Sequence, residues 1–201
     1  HHTVWANTVA LERAGILRGG VTEPGHEIVM GPDGLALGQL NEVSAFAPVL
    51  DLGGEGRLMQ PLVSGEEPDP APSPAERAAD MAKLRAGLAH CAGHGITSII
   101  NMDGNRYILS LIDELRRPGG LTARVKVPFH FKPHMELGAL DRAEAMTRDY
   151  NDDWVSSGFV KMFIDGVLGS HTALMVDGYP GDATENGAPL FELGRFSQIC
   201  A

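Results

Sequence analysis

The chain has 201 residues, 16 Lys and Arg against 26 Asp and Glu, and a formal charge of −10. That balance argues against a nucleic-acid binder, which needs a concentrated basic face, and against polybasic docking to a membrane. Apolar residues make up 43% and charged residues 21%, a globular composition, and no stretch approaches the about 18 uncharged apolar residues that span a bilayer.

Residues 1–57 read as turns and short strands around one helix. Asn7 is placed to cap a helix over residues 8–14, and Gly15 stops it. Val9, Leu11, Ala14 and Ile16 supply its apolar stripe, and Trp5 reads as packing. Apolar runs at 27–30 and 35–40 flank Gly31-Pro32-Asp33-Gly34, a hairpin signal. Gly53-Gly54-Glu55-Gly56 lacks the Gly-Lys-Ser/Thr ending and the preceding strand of a phosphate loop, so it reads as a plain turn. Residues 61–73 carry Pro61, Pro68, Pro70 and Pro72 with Glu66, Glu67 and Asp69 between them. Proline stiffness and acidic repulsion predict an extended, solvated linker. A helix start follows, with Ser73 to cap, Pro74 in the first position and Glu76 to complete a capping box. Met81, Leu84, Leu88 and Cys91 recur at helical spacing until Gly93 and Gly95.

From there strands and helices alternate. Strands are expected at 96–102, 123–129 and 159–164. Helices are expected at 105–116, with Ile108, Leu111, Ile112 and Leu115 on one face, and at 137–150. Pro118-Gly119-Gly120 breaks the first of these helices. A glycine-rich loop over 165–187 leads to a last helix near Gly194. Such alternation predicts a parallel sheet with right-handed crossovers, open or closed into a barrel. No Gly-x-Gly-x-x-Gly follows the first of these strands, which disfavours a dinucleotide fold. In both architectures chemistry gathers at the carboxyl ends of strands. Asp103, His130, His134 and Asp165 fall there.

Lys161 is the most informative residue. It lies between Val160 and Met162, and alternation puts Phe159, Lys161, Phe163 and Asp165 on one face. A lysine facing a core costs several kcal/mol unless paired or neutralised. Three routes lie open: an ion pair with Asp103 or Asp165, a Schiff base in which the neutral amine attacks a carbonyl, or a carbamate that ligates metal. Among the histidines, His130 and His134 stand four apart with Pro133 between them. That argues against a helical zinc pair and leaves structural or substrate contacts. His94 reads as a cation at a helix C-terminus and His26 as a solvated turn residue.

Four segments, in order, carry a resemblance. The run from Val160-Lys161-Met162-Phe163-Ile164-Asp165-Gly166 through Val167-Leu168-Gly169-Ser170-His171-Thr172-Ala173-Leu174 resembles a signature of the amidohydrolase superfamily. More narrowly it is similar to amidohydrolase family 3, which includes N-substituted formamide deformylase-like proteins. His2-Thr3-Val4-Trp5-Ala6-Asn7-Thr8-Val9-Ala10-Leu11 resembles that family's His-x-x-Trp-x-Asn-x-x-Ala-Leu segment, with Ala14-Gly15-Ile16 after it. Gly38-Gln39-Leu40-Asn41-Glu42 resembles its Gly-x-Leu-x-Glu, and Gly95-Ile96-Thr97-Ser98 its entry to the second barrel strand.

The resemblance implies a metal-dependent hydrolase on a (β/α)8 barrel. Its metal would be held by a His-x-His on strand one, a carboxylated Lys or Glu on strand four, a His on each of strands five and six, and an Asp on strand eight. In that register the strands at 96–102, 123–129 and 159–164 are the second, third and fourth, and Lys161 takes the strand-four ligand position. His1-His2 is not a His-x-His, and His171 stands where the family has Arg. The expectation is an internal fragment: a strand- and turn-rich subdomain over 1–60, the linker 61–73, and a partial TIM-type barrel over 74–201. The general base is expected outside the chain, so the fragment alone is expected to be inactive. His2, Asp103, His130, Asp165, Gly169 and His171 are the expected substrate-side residues. The implied reaction is hydrolysis of a non-peptide C–N bond, amide or N-formyl, in a small molecule, with one or two divalent ions, zinc expected. The expected partner is a second copy or the rest of the barrel. Cys91 and Cys200 cannot build a disulfide framework and suit a reducing, cytoplasmic compartment. The rival readings are a Schiff-base lyase of the aldolase type using Lys161, and a non-catalytic interaction module.

Overall fold

The computed structural model of the chain describes every residue except 1, 24, 55, 118, 182, 183 and 185. His1, Glu55 of the glycine turn and Pro118 of the expected helix break therefore lie outside the described residues. The chain forms two units: His1–Arg57 with Phe163–Ala201, and Leu58–Met162. The first unit also takes in Phe163–Ala201, because the chain re-enters it at Phe163.

The first unit is organised by an antiparallel sheet of β1 (Thr3–Trp5), β2 (Glu27–Met30) and β3 (Ala36–Asn41), in the order β1-β3-β2. The expected hairpin is β2 and β3, with Ile28 opposite Leu40. Alternation along β3 buries Ala36 and Leu40, which meet Ile28, Leu11, Ile16, Ala45 and Phe46 in an apolar cluster. Gly38 lies within this strand at φ +103, where a Cβ would fall 2.5 Å from the Ala6 carbonyl oxygen. Asn7 caps α1 (Thr8–Arg13) by accepting from the Ala10 amide at 2.9 Å, as expected, and Gly15 follows at φ +73. Val9 and Trp5 are exposed, so the apolar stripe rests on Leu11 and Ile16. A second helix, α2 (Val43–Leu52), occupies a stretch read as turns and strands. Its interior Pro48 hides it from a pattern reading, while Ala45 and Phe46 bury it. The returning segment holds a 3-10 turn at Leu168–Ser170 and the terminal helix α7 (Leu193–Cys200). Gly166 lets Thr172 close over it, since a Cβ there would lie 2.1 Å from Thr172 Oγ1.

Helix α3 (Gly56–Val63) crosses the boundary between the units. Pro61 is buried inside it, so the solvated linker does not begin there. Asp69 is exposed, but two of the linker's acids take protein partners. The Glu66 carboxylate pairs with Arg142, and its carbonyl accepts from Asn105 Nδ2 at 3.0 Å. Glu67 accepts from the Arg106 and Tyr107 amides at 2.8 and 2.9 Å, satisfying two orphan donors at a helix N-terminus.

The second unit carries the strand–helix rhythm. α4 (Pro74–Gly93) starts with the expected capping box of Ser73 and Glu76. Of its expected stripe only Leu88 is fully buried, alongside Asp80, whose carboxylate accepts from the Tyr107 hydroxyl at 2.7 Å. α5 (Arg106–Arg116) buries Ile108, Leu111, Ile112 and Leu115 as read, plus Tyr107 and Leu109. Asn105 caps it, accepting from the Ile108 amide at 2.9 Å. The strands are parallel: β4 (Ser98–Ile100), β5 (Arg124–Lys126) and β7 (Val155–Ser156) in one ladder, β6 (Phe129–His130) and β8 (Val160–Lys161) in another. The break between β5 and β6 falls at Val127-Pro128, where the proline has no amide to donate. Of the third expected strand, 159–164, only Val160–Lys161 pairs, as β8, and the separate strand β7 (Val155–Ser156) precedes it. A 3-10 turn at Leu137–Ala139 leads into α6 (Leu140–Asp149).

Candidate functional site

The β6–β8 register sets His130 beside Lys161, and neighbours in a parallel ladder project from the same face. Asp103 lies three residues beyond β4, in the turn where the Asn101 side chain accepts from the Asp103 amide. Its Oδ1 is 3.2 Å from Lys161 Nζ, which donates to it, and 3.2 Å from His130 Nδ1. One carboxylate oxygen thus joins two bases from adjoining strands. The Lys161 side chain is 14% exposed, His130 is fully buried and Asp103 is 34% exposed. The unit therefore presents this cluster to solvent through its carboxylate.

The charges decide the protonation states. Burial pushes the Asp103 carboxyl up, but the His130 hydrogen bond and the Lys161 charge outweigh it and hold it below the usual carboxylate range. Burial pushes His130 down, helped by the cations of Lys132 and Lys161 and opposed by Asp103. At neutral pH Asp103 is an anion and His130 a neutral imidazole. Both forms are donors to a divalent cation; the Lys161 ammonium is not, and only a carbamate on that nitrogen would make it one. Among the described residues no group of three or more His, Cys, Asp and Glu side chains is placed to hold a metal ion. The cluster fits part of a metal site and lacks the rest of its donors.

Lys132, two residues beyond His130, is a residue the sequence reading did not single out. It is buried and donates from Nζ to the Leu62 carbonyl. Its signal was the one that marked Lys161, a lone cation in an apolar run, here between Phe131 and Pro133. His134 is exposed, 4.0 Å from Glu66.

The other expected residues fall in the first unit. His2 Nδ1 lies 3.0 Å from Glu42 Oε2. Asp165 is not on the Lys161 strand, which ends four residues earlier; its Oδ2 accepts from the Leu174 amide at 2.9 Å. Gly169 sits in the 3-10 turn, and a Cβ there would meet nothing within 4 Å. His171, at φ +57, stacks on Tyr179 with ring centroids 4.3 Å apart. His26 is not a solvated turn residue: its Nδ1 is 2.7 Å from Ser44 Oγ and accepts from the Ser44 amide at 3.1 Å. No helix of the described residues is long and apolar enough to cross a membrane.

Known proteins resemble the chain in sequence and in fold. It is 29% identical over 205 residues to YtcJ, a candidate amidohydrolase of Bacillus subtilis (strain 168), covering 96% of this chain and 33% of that protein. Two crystal structures share its fold, each of an uncharacterized metal-dependent hydrolase. The one from Pyrococcus horikoshii OT3 has a TM-score of 0.59 at 18% identity, over 99% of this chain and 34% of that one. The one from Pyrococcus furiosus has a TM-score of 0.58 at 18% identity, over 99% and 35%. The chain spans about a third of the length of these relatives. A family profile described as "Amidohydrolase family" matches residues 1–201, and the chain belongs to that family.

Proposed function

We propose that the chain is part of a metal-dependent hydrolase, built on a partial (β/α)8 barrel, that cleaves a non-peptide C–N bond of the amide or N-formyl type in a small molecule. The narrower kinship we propose is with N-substituted formamide deformylase-like proteins. The observation that carries the reading is the junction of Asp103 with Lys161 and His130, the last two on adjoining parallel strands. Lys161, as a carbamate, would supply ligand oxygens. His130 and Asp103 would orient that group and the substrate beside it. A divalent ion held there, with zinc the expected metal, would lower the pKa of a bound water molecule and polarise the scissile carbonyl. The remaining donors and the general base would come from the other part of a protein as long as its relatives, as would the strand covering the exposed Ile100 and Met102 at β4. Association with a second copy is the other way that edge would be covered. His2, Asp165, Gly169 and His171 would serve substrate contact. The two free cysteines, Cys91 and Cys200, accord with a cytoplasmic setting.

The test uses the full-length protein and its Lys161→Met variant. Native mass spectrometry should find one added carbon dioxide mass on Lys161. The variant should lose bound metal and release of the free amine from N-formyl and N-acetyl aryl amine probes. Undiminished turnover after exhaustive chelation would refute the hydrolase reading. A borohydride-trapped adduct at Lys161 with a carbonyl probe would move the assignment to a Schiff-base lyase.

A further inference from the structure

Glu42 occupies a backbone conformation that glycine normally takes, at φ +66 and ψ 167. Two demands meet at this residue. Its amide donates to the His2 carbonyl at 2.8 Å, extending the pairing of β1 with β3. Its carbonyl accepts from the Ala45 amide at 3.1 Å, opening α2. Glycine would meet both without strain. The side chain does not recover the difference by capping, for Glu42 stands at the N-cap of α2 and makes no side-chain cap bond. Instead the largely buried carboxylate turns to His2, whose Nδ1 lies 3.2 and 3.0 Å from its two oxygens.

A carboxylate can only accept, so the Glu42 contact places the hydrogen of a neutral His2 ring on Nδ1 and the lone pair on Nε2. The His2 side chain is 49% exposed. We propose that Glu42 is a positioning residue that holds His2 as a hydrogen-bond and proton acceptor at Nε2, for an N–H or O–H group of the ligand. A side chain that can only accept fixes the ring's tautomer from position 42, which glycine could not do.

Diethyl pyrocarbonate, which acylates an imidazole nitrogen bearing a lone pair, probes this in the full-length protein with peptide mass spectrometry as the readout. His2 should react faster than the comparably exposed His134. Glu42→Leu, which has no acceptor, should lose most of that advantage at His2, with unchanged far-ultraviolet circular dichroism and an unchanged rate at His134. Glu42→Gly should lose it too, yet raise the thermal midpoint by relieving the backbone. Equal rates at His2 in the wild type and Glu42→Leu would overturn the proposal, as would a lower midpoint in Glu42→Gly. These readouts need no metal and no turnover, so they can fail while the hydrolase reading stands, or hold while it falls.

Discussion

The two units handle buried polarity differently. In the first, the described core is an apolar cluster around Leu40 and Phe46, and Glu42 is its one buried polar residue. The second buries Asp80, Asn105, His130, Lys132 and Ser157 and sets the half-buried Asp103 against Lys161. A polar group taken out of water must recover its hydrogen bonds inside, so such burial is tolerated where specific partners exist. In the second unit those partners come from separate stretches of chain. Glu66 meets Asn105 and Arg142, Asp80 meets Tyr107, and Asp103 meets both His130 and Lys161. The first unit should therefore fail through cavities and the second through lost hydrogen bonds.

The largest effect is expected from Phe46→Ala. It opens a cavity at a fully buried position and should cost about 3–5 kcal/mol in urea unfolding. A loss below about 1 kcal/mol would mean that the apolar cluster does not hold this unit together. Next comes Asn105→Ala, which removes the α5 cap and the donor to the Glu66 carbonyl at a fully buried site. The expected loss is about 2 kcal/mol, and Asn105→Asp, which can still cap, should recover part of it. Asp103→Asn should cost about 1 kcal/mol, since solvent screens a carboxylate that is one-third exposed. It should also abolish probe turnover in the full-length protein, a separation of stability from activity that Asn105→Ala would not show.

The smallest effect is a pH dependence. Asp152 accepts from the Val155 and Trp154 amides at 3.0 and 2.8 Å and pairs with Arg116; the two amides lead in holding its carboxyl below the usual range. Its folded pKa is thus lower than its unfolded one. Its contribution is whole above the unfolded value of about 3.9 and fades as pH falls through the folded value. The difference in urea midpoint between the protein and Asp152→Asn should be flat from about pH 7 to 5 and shrink below about pH 4. A difference that grows on acidification would reverse the sign.

Local chemistry made much of the fold legible. Asn7, Ser73-Pro74 with Glu76, and Asn105 mark helix starts that hold in the structure, because a cap bonds amides two or three residues away. The hairpin at Gly31–Gly34 and the apolar face of α5 were visible for the same reason. What escaped was decided at long range. α2 forms around Pro48 because Phe46 and Ala45 find a core, and Glu66 and Glu67 are held against the protein by Arg142 and the α5 amides.

The site divides in the same way. Sequence alone determined that Lys161, Asp103 and His130 deserved notice, since a cation in an apolar strand and polar residues at strand ends can be read from order and alternation. It also determined the family, through ordered motifs. Only the tertiary structure decided that these three meet at one oxygen, that Asp165 lies off the Lys161 strand, and that Glu42 holds His2. The reason is separation along the chain. Pairs 58 and 40 residues apart are joined by strand register and by where a chain turns, which no local pattern encodes.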